Sequence, residues 1–354
     1  MIRVLVVEDS PTVRARLVEV LAAAEGITIA GEAQDGRQAI EMCRSLRPDI
    51  VTLDMMLPVM SGLAATEFIM AHFPTPILIV SASTNRGELF KTYDALAAGA
   101  VDVLEKPRGT ETDKAWEHRF VAAVKLVSRI KVITHPRARL VHLGRPASIA
   151  TPPPSIMAKT RRTGRAIAIG ASTGGPGAIV EVLRALPAPS PVPLFFVLHL
   201  GDPFGHAFAD WLDGQTAHRA RYAIHGEAIP GGGAVLMAPP DQHLIVREGR
   251  LFLTKDPERH SCRPSVDVLF ESVARQYGSL SAAALLTGMG HDGAAGLLEV
   301  RRAGGLTVAQ DETTSVVYGM PREAMLLGAA EHVLALGDIG PALAAATVRA
   351  GSAA

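Results

Sequence analysis

The sequence predicts two doubly wound α/β domains, each built on a parallel sheet, with a small β-hairpin in the second. Short apolar runs alternate with helix-length stretches through residues 1–125, and the same alternation begins again at residue 165. The segment between them has no clear period and contains proline, threonine, serine and basic residues, which is typical of a linker. We therefore place the domains at 1–125 and 165–345, the linker at 126–164 and a tail at 346–354.

In the first domain, apolar runs predict five strands separated by helices, with a fifth helix leading out of the domain. The strands are 3–8, 28–33, 49–54, 76–82 and 102–107. The helices are 11–24, 36–46, 62–72, 87–98 and 114–132. Alternation at these lengths is typical of a doubly wound, flavodoxin-like parallel sheet.

The second domain repeats this alternation with different sequences. Its predicted strands are 165–170, 194–199, 234–239, 283–288, 306–311 and 332–336, and residues 243–254 predict a hairpin that turns about Glu248 and Gly249. Its predicted helices are 177–186, 203–213, 265–276, 293–304 and 321–327. No internal repeat relates it to the first domain.

The composition is that of a globular protein that is not inserted in a membrane. The chain has 354 residues, 48% of them hydrophobic and 20% charged, and no apolar run reaches the roughly 18 residues that a spanning helix needs. The N-terminus enters a strand directly and lacks the features of a signal peptide, so we expect a cytoplasmic location. Cys43 and Cys262 lie far apart in sequence, and a structural disulfide is not expected.

Charge is distributed unevenly, although the net charge is zero. Residues 1–117 carry 11 Lys/Arg and 17 Asp/Glu, residues 166–354 carry 13 and 18, and residues 118–165 carry 11 Lys/Arg and no acid. A nucleic-acid-binding arm is one interpretation of this basic segment. A solvated linker attracted to two acidic domains is the simpler one, and we favour it.

Charged and polar residues follow the predicted strands of the first domain. Glu8 and Asp9 follow the first strand, Asp54 the third, Ser81 the fourth and Lys106 the fifth. Each acid taken singly is explained as a helix cap or a solvated strand end. Because the carboxyl ends of parallel strands meet at one edge of a sheet, the five together predict a cluster whose oxygens suit Mg²⁺.

This pattern resembles the receiver domain of two-component response regulators, through "VVEDS", "TLDMMLPVMSG", "IVSAS" and "EKP". The resemblance implies that Asp54 accepts a phosphoryl group. It also implies that Glu8, Asp9 and Asp54 hold Mg²⁺ together with the Met56 carbonyl, directly or through water.

By the same resemblance, Lys106 pairs with the phosphoryl group and Ser81 rotates to hydrogen-bond it, as new charge repositions nearby donors. Val103 stands where many receivers have an aromatic switch residue. An activation step that swings an aromatic ring is therefore not expected in this chain.

In the second domain, the segment "AIAIGASTGGPG" contains the pattern G-x-S-x-G at Gly170, Ser172 and Gly174. A nucleotide-binding loop would need lysine followed by serine or threonine, and Pro176 and Gly177 stand there instead. Backbone amides at this turn could still bind some anion. The other interpretation is a nucleophile elbow with Ser172 as the nucleophile.

A nucleophilic serine needs a base and an acid that orients the base. His199 ends a predicted strand and so lies at the same sheet edge as Ser172, and Asp292 follows another strand in a glycine-rich turn. His291 is a rival base, although adjacent residues such as His291 and Asp292 seldom point at one another. A zinc site of His260, Cys262, His291 and Asp292 is a further alternative, but these spacings match no recurring pattern.

Residues 166–340 resemble the catalytic domain of the chemotaxis protein-glutamate methylesterases (CheB). The resemblance is carried by "IGASTGGPGAI", "RPSVDVLFESVA", "LLTGMGHDGAAGLLEVRRAGG" and "TVAQDETTSVVYGMPREAM". It implies that Ser172 is the nucleophile, His199 the base and Asp292 its orienting acid. It also implies that the amide of Met289 stabilises the oxyanion with Thr173 nearby. The segment "LHLGDPFG" after His199 and Pro240 in "APPDQHL" depart from the family pattern.

The resemblance implies a phosphorylation-activated hydrolase that demethylates glutamate γ-methyl esters of chemoreceptors and also deamidates specific glutamines. The unphosphorylated receiver would occlude the catalytic cleft. The implied partners are methyl-accepting chemoreceptors and a cognate histidine kinase (CheA-like), with Mg²⁺ needed for phosphorylation and no cofactor for the ester step. Two alternatives remain: a catalytically silent scaffold that docks on receptors, and a DNA-binding regulator, which the acidic second domain disfavours.

Overall fold

The computed structural model describes residues 1–82, 85–106, 114–130, 132, 166–200 and 203–347. The chain divides into two compact units. The described residues up to 132 belong to the first unit, and those from 166 onward belong to the second. Most of the predicted linker, and the predicted tail apart from its first two residues, lie outside the described residues, so the domain boundaries stay predictions.

The first unit is a five-stranded parallel sheet in the order β2-β1-β3-β4-β5, which is the flavodoxin-like order. Its strands are β1 (Ile2–Val7), β2 (Ile27–Ala33), β3 (Ile50–Leu53), β4 (Ile77–Ser81) and β5 (Asp102–Glu105). Its helices are α1 (Pro11–Ala22), α2 (Gly36–Leu46), α3 (Gly62–His72), α4 (Arg86–Ala97) and α5 (Lys114–Val127).

Side-chain caps fix where these helices begin. The side chains of Ser10, Asp35, Ser61 and Asn85 each accept a hydrogen bond from a backbone amide in the first turn of the helix that follows. Strands β3 and β4 are buried at every position, as expected for central strands covered on both faces. The polar residues that follow β1 and β3 are therefore carried on segments that end in a fixed helix start.

The second unit is a seven-stranded parallel sheet in the order β14-β13-β12-β6-β7-β9-β8, with a separate hairpin. Its strands are β6 (Ala166–Ala171), β7 (Leu194–Leu198), β8 (Arg219–Tyr222), β9 (Ala234–Met237), β12 (Ser281–Leu285), β13 (Leu306–Gln310) and β14 (His332–Leu334). The hairpin pairs β10 (His243–Arg247) with β11 (Arg250–Thr254) in antiparallel register. Its helices are α6 (Gly175–Ala185), α7 (Phe208–Gln215), α8 (Val266–Tyr277), α9 (Ala294–Arg302), α10 (Met320–Leu326) and α11 (Leu336–Thr347).

Some predicted elements need correction. The helix predicted at 114–132 ends at Val127, and the one predicted at 203–213 begins at Phe208. Strand β8 and helix α11 were not predicted. Helix α11 packs closely against α6, because a Cβ on Gly340 would lie 2.5 Å from Ala185 Cβ. This packing compensates for the low helix propensity of the glycines and proline in α11.

One hydrophobic core of the second unit lies between one face of the sheet and a layer made of α8, α9 and the hairpin. Phe195 of β7 and Leu285 of β12 pack there with Phe270 of α8, Leu297 of α9 and Leu251 of β11. All five side chains are buried. This core holds the N-terminus of α8 against the ends of the central strands, where the candidate site lies.

Replacing Phe270 with alanine is expected to lower the free energy of unfolding of the second unit by about 3–5 kcal/mol, because it leaves a cavity in this core. The chain has two tryptophans, Trp116 in α5 and Trp211 in α7, so denaturant unfolding followed by fluorescence in a Trp116→Phe background reports on the second unit. The control is Val333→Ala, at a side chain that is 41% exposed, which should change stability by less than about 0.5 kcal/mol. Equal effects of the two substitutions would contradict this account of the core.

Candidate functional site

Ser172 lies in the tight turn between β6 and α6. Its amide donates to the Thr287 carbonyl at 3.0 Å, and its own carbonyl accepts the Gly175 amide at 2.7 Å. These bonds tie the serine both to the end of β12 and to the first turn of α6. The backbone of Ser172 is therefore fixed before any substrate binds.

Glycines around Ser172 are required by close approach and by backbone conformation. Gly174 has φ +77°, and a Cβ there would lie 2.6 Å from Val316 Cβ. A Cβ on Gly288 would lie 2.7 Å from Ser172 Cβ. The glycines thus let the segment after β12 pass directly beside the serine.

His199 follows β7, the neighbour of β6, and its amide donates to the Ala171 carbonyl at 3.1 Å. Its Nε2 lies 3.0 Å from Asp292 Oδ2. The side chain of His199 is 16% exposed, whereas that of Asp292 is 2% exposed. The imidazole therefore lies between a buried carboxylate and the open edge of the sheet.

Asp292 lies at the N-terminus of α8 and accepts hydrogen bonds from that helix. Its Oδ2 accepts from the Val266 amide at 2.7 Å, and its Oδ1 accepts from the Ser265 hydroxyl at 2.7 Å and the Asp267 amide at 3.1 Å. Unpaired amides at a helix N-terminus favour a negative charge. Burial opposes ionisation, but the bonds from His199, Ser265 and Val266 outweigh it and hold the pKa of Asp292 below its usual value.

The proton affinity of His199 is raised by its contacts with Asp292 and Cys262. Burial by itself lowers the pKa of His199, but the hydrogen bond and charge of Asp292, together with contacts from Cys262, raise it from 6.5 to about 9. A stabilised imidazolium is what a general base requires once it has taken a proton.

Nδ1 is the nitrogen of His199 that Asp292 leaves free for proton transfer. Cys262 Sγ lies 3.8 Å from this atom. Within the described part of the chain, no side-chain hydrogen bond reaches Ser172 Oγ. The structure thus brings Ser172, His199 and Asp292 to one sheet edge and joins only the last two by a hydrogen bond.

Thr173 follows Ser172 in the chain, and Met289 follows Gly288, where a Cβ would lie 2.7 Å from Ser172 Cβ. Neither amide donates to another group among the described residues. The Gly288 amide donates to the Val317 carbonyl at 3.0 Å, and the Thr173 carbonyl accepts from Thr287 Oγ1 at 2.9 Å. Both segments are therefore held by other bonds, while their free amides remain available to a developing oxyanion.

Three supporting residues were missed by the sequence analysis. Thr287 Oγ1 joins the segments of Thr173 and Val317, Gln310 Oε1 accepts the Thr287 amide at 2.8 Å, and Ser265 donates to Asp292. Thr287 and Gln310 are buried polar residues at the ends of β12 and β13, and Ser265 precedes an apolar helix as an N-cap. Thr287 and Gln310 could have been predicted as polar residues at strand ends. Ser265 could have been predicted from the N-cap pattern before the helix.

The rival base and the alternative zinc site are arranged differently from the sequence proposals. His291 Nε2 lies 2.8 Å from His260 Nδ1, and His260 Nε2 lies 3.0 Å from Asp267 Oδ2. His291 is therefore bonded to another histidine. Among the described residues, the four proposed zinc ligands do not form a single cluster; Cys262 and His260 each group with Asp292 separately.

The two segments that depart from the family pattern contact each other. A Cβ on Gly205, in the loop after His199, would lie 2.6 Å from Pro240 Cγ. Residues 201 and 202 of this loop lie outside the described residues. The Pro240 ring is thus accommodated by the glycine opposite it.

In the first unit, Glu8 and Asp54 share the ammonium group of Lys106. Lys106 Nζ lies 2.8 Å from Glu8 Oε2 and 3.0 Å from Asp54 Oδ2. Burial and the charge of Asp54 raise the pKa of Glu8, against the opposing effect of Lys106. Burial opposes the charge of Lys106, but the two carboxylates outweigh it and raise the pKa of Lys106.

Oxygen atoms of Glu8, Asp9 and Asp54 lie within 4.8 Å of one another, which fits a hard cation such as Mg²⁺. Ser81 ends β4, and its buried Oγ has no hydrogen-bond partner among the residues that the structure describes. Met56, two residues after Asp54, is 43% exposed. A phosphoryl group on Asp54 would supply acceptor oxygens of the kind that Ser81 lacks.

Comparison with known proteins identifies both units. The CheB methylesterase family matches residues 167–343, and the response regulator receiver domain matches residues 4–113. A protein-glutamate methylesterase/protein-glutamine glutaminase of Nitrosospira multiformis is 42% identical over 346 residues, covering 97% of this chain and 96% of the relative. One from Myxococcus xanthus is 41% identical over 348 residues, covering 98% and 97%.

Solved structures match each unit separately. The CheB methylesterase catalytic domain of Thermotoga maritima is 35% identical, with a TM-score of 0.49, and covers 51% of this chain and 98% of that structure. The response regulator domain of Thermotoga maritima CheB is 32% identical, with a TM-score of 0.34, and covers 37% and 98%. Within the described residues, none of the helices has the length and apolar character needed to span a bilayer.

Replacing Asp292 with asparagine is expected to lower the pKa of His199 well below 9, because burial then acts without the opposing carboxylate. NMR titration of the histidine ring Cε1–H resonances measures this pKa, and a His199→Gln variant identifies the resonance. The control Asp338→Asn, in the first turn of α11, should leave the titration unchanged. An identical His199 titration in Asp292→Asn would contradict the electrostatic account of this pair.

Proposed function

The chain belongs to the CheB methylesterase family, and on this premise we propose that Ser172, His199 and Asp292 form its catalytic triad. Family membership confirms the predicted resemblance, the α/β class of both domains and the activity as a phosphorylation-regulated protein-glutamate methylesterase of chemotaxis. The observation that supports the triad is the His199–Asp292 bond, formed at the end of the strand beside Ser172. The assignment of individual residues to roles is our proposal.

In the first step, Ser172 Oγ attacks the carbonyl carbon of the glutamate γ-methyl ester. His199 accepts the serine proton at Nδ1, because Nε2 donates to Asp292, and the Asp292 carboxylate stabilises the imidazolium that results. The negative charge that develops on the carbonyl oxygen is stabilised by the amide of Met289, with Thr173 as the second contributor.

In the second step, His199 returns its proton to the departing methoxy group and methanol leaves. A water molecule, deprotonated by His199, then attacks the acyl-enzyme and releases the glutamate. A glutamine side chain would form the same acyl-enzyme with loss of ammonia. Glutaminase activity therefore uses the same residues.

In the receiver, we propose Asp54 as the phosphoryl acceptor and Glu8, Asp9, Asp54 and the Met56 carbonyl as the Mg²⁺ site. When bound, Mg²⁺ would supply positive charge that offsets the negative charge of the carboxylates and the incoming phosphoryl group. Lys106, which already contacts Asp54, would pair with the phosphoryl group, and Ser81 Oγ would donate to it. Val103 lies half-buried in β5 at the position of the aromatic switch residue. We therefore propose an activation step without rotation of an aromatic ring at this position.

The proposed partners follow from the two domains. The receiver implies a cognate histidine kinase (CheA-like), and the catalytic domain implies methyl-accepting chemoreceptors as substrates. We also propose a cytoplasmic location, where the chain would meet the histidine kinase and the helical cytoplasmic region of the chemoreceptors. The family matches are a methylesterase over residues 167–343 and a receiver over residues 4–113, and they favour this assignment over the DNA-binding alternative.

Replacing Ser172 with alanine is expected to lower methanol release from methylated receptor membranes by at least about a thousandfold, because the nucleophile is lost. The assay uses the full chain with a phosphodonor. The matched control is Ser279→Ala, at an exposed serine outside the site, which should keep the wild-type rate. Equal rates in Ser172→Ala and wild type would contradict the triad and favour the scaffold alternative.

Replacing Asp54 with asparagine is expected to abolish the rise in methanol release that a small acyl-phosphate donor produces in the wild type. A coupling of about 1–3 kcal/mol would make that rise about 5- to 150-fold. The matched control is Asp49→Asn, which keeps an oxygen to accept the Arg3 amide and should keep the response. A phosphodonor response that survives in Asp54→Asn would contradict the assignment of the phosphorylation site.

A further inference from the structure

Cys262 has a thiol at the catalytic base, and this contact has no part in the mechanism above. Its Sγ lies 3.8 Å from His199 Nδ1 and 3.4 Å from the His260 carbonyl. Two backbone hydrogen bonds with Arg259, of 2.9 and 3.1 Å, hold the segment in a tight turn. The thiol is thus held beside the imidazole by the backbone as well as by its own contact.

The nitrogen that Cys262 contacts is the one that Ser172 needs. Nε2 of His199 is bonded to Asp292, so a proton from Ser172 can pass only to Nδ1. Ser172 Oγ has no hydrogen bond within the described part of the chain, while the thiol lies at Nδ1. The Cys262 thiol therefore lies at the nitrogen that Ser172 would use in the proposed mechanism.

We propose that Cys262 is a positioning residue that holds Nδ1 of His199 between turnovers, so that its thiol competes with the Ser172 hydroxyl for the base. The thiol donates its own proton to the His260 carbonyl, so its sulfur can accept a hydrogen bond from a protonated Nδ1 and stabilise the imidazolium, whose other proton lies on Nε2 facing Asp292. The imidazolium must lose the Nδ1 proton before Ser172 can be deprotonated. This inference rests on the proposed role of His199 as the base.

The competition also affects the proton affinity of the base. Cys262 is one of the two residues that raise the pKa of His199 against the effect of burial, and Asp292 is the other. Other charged and titratable groups lie beyond Asp292. The Asp267 amide donates to Asp292, and the Asp267 carboxylate pairs with Arg259 and His260. The His260 ring in turn contacts His291. These outer groups stay in place when the thiol is removed, so the effect of Cys262 can be measured separately.

The test is the pH dependence of kcat/KM for methanol release, measured between pH 6 and 10 in wild type and Cys262→Ala. The base must be unprotonated to act, so lowering its proton affinity moves the acid limb of the profile to lower pH. We expect kcat/KM at pH 7 to be higher in Cys262→Ala than in wild type. The increase should be about tenfold for each pH unit by which the acid limb moves. The advantage should diminish toward pH 10. Both proteins have the same receiver, so the ratio of their rates cancels the pH dependence of phosphorylation.

Two variants serve as controls. Cys262→Ser keeps an acceptor for Nδ1–H, with a hydroxyl oxygen in place of the sulfur, and its limb should lie between those of wild type and Cys262→Ala. Cys43→Ala removes the other cysteine, which is buried in the first unit, and should leave the profile unchanged. An unshifted limb in Cys262→Ala overturns the proposal, and so does a loss of activity at every pH, which would make Cys262 structural or itself the nucleophile.

The NMR titration of His199 provides a readout that is independent of turnover. In Cys262→Ala the midpoint should fall below that of the wild type, and a midpoint that does not move overturns the proposal. Ser172→Ala, assayed in parallel, separates the two claims. Activity in that variant would refute the triad, whereas an inactive Ser172→Ala with an unshifted Cys262→Ala would refute only the role of the thiol.

Discussion

The proposed active site depends on one buried carboxylate at a helix N-terminus. Asp292 accepts the Val266 and Asp267 amides and the Ser265 hydroxyl, which leaves it fixed, ionised and aimed at His199 Nε2. An isolated buried carboxylate would be costly, but unpaired amides at the start of α8 offset that cost. Because Asp292 bonds to Nε2 of the imidazole, Nδ1 is the nitrogen that would serve Ser172 in the proposed mechanism, and the Cys262 thiol lies beside it. The core that packs α8 against the central strands therefore holds in place the carboxylate on which the proposed mechanism depends.

Both units apply the same geometric rule with different chemistry. Parallel strands bring their carboxyl ends to one edge, so residues distant in sequence meet there on rigid supports. In the receiver this edge gathers Glu8, Asp54 and Lys106, where a lysine offsets the repulsion of two buried acids. In the catalytic unit it gathers a serine, a histidine and an acid, with glycines that leave room beside the serine. One edge suits a cation and a phosphoryl group, and the other suits an ester.

The sequence was sufficient to predict the doubly wound α/β class of both domains and the polar residues at the strand ends, because apolar periodicity and turn glycines are local signals. The sequence analysis missed β8, whose four residues include two arginines and give no apolar run, and α11, whose Gly337, Gly340 and Pro341 disfavour a helix that packing against α6 stabilises. It missed Thr287, Gln310 and Ser265 as parts of the site, because their importance lies in contacts between distant segments, and it considered Cys262 only as a zinc ligand. The bond from Thr287 Oγ1 to the Thr173 carbonyl, for example, spans 114 residues.

The most direct test of the central claim, that Ser172 forms an acyl-enzyme, is methyl exchange. Methanol leaves when the acyl-enzyme forms, so by microscopic reversibility added methanol must be able to attack that intermediate. With CD₃OH in the buffer and methylated receptors as substrate, mass spectrometry of receptor peptides should find glutamates that carry CD₃ esters after incubation with wild type and none after incubation with Ser172→Ala. Hydrolysis by wild type without any exchange, or exchange that persists in Ser172→Ala, would contradict the account.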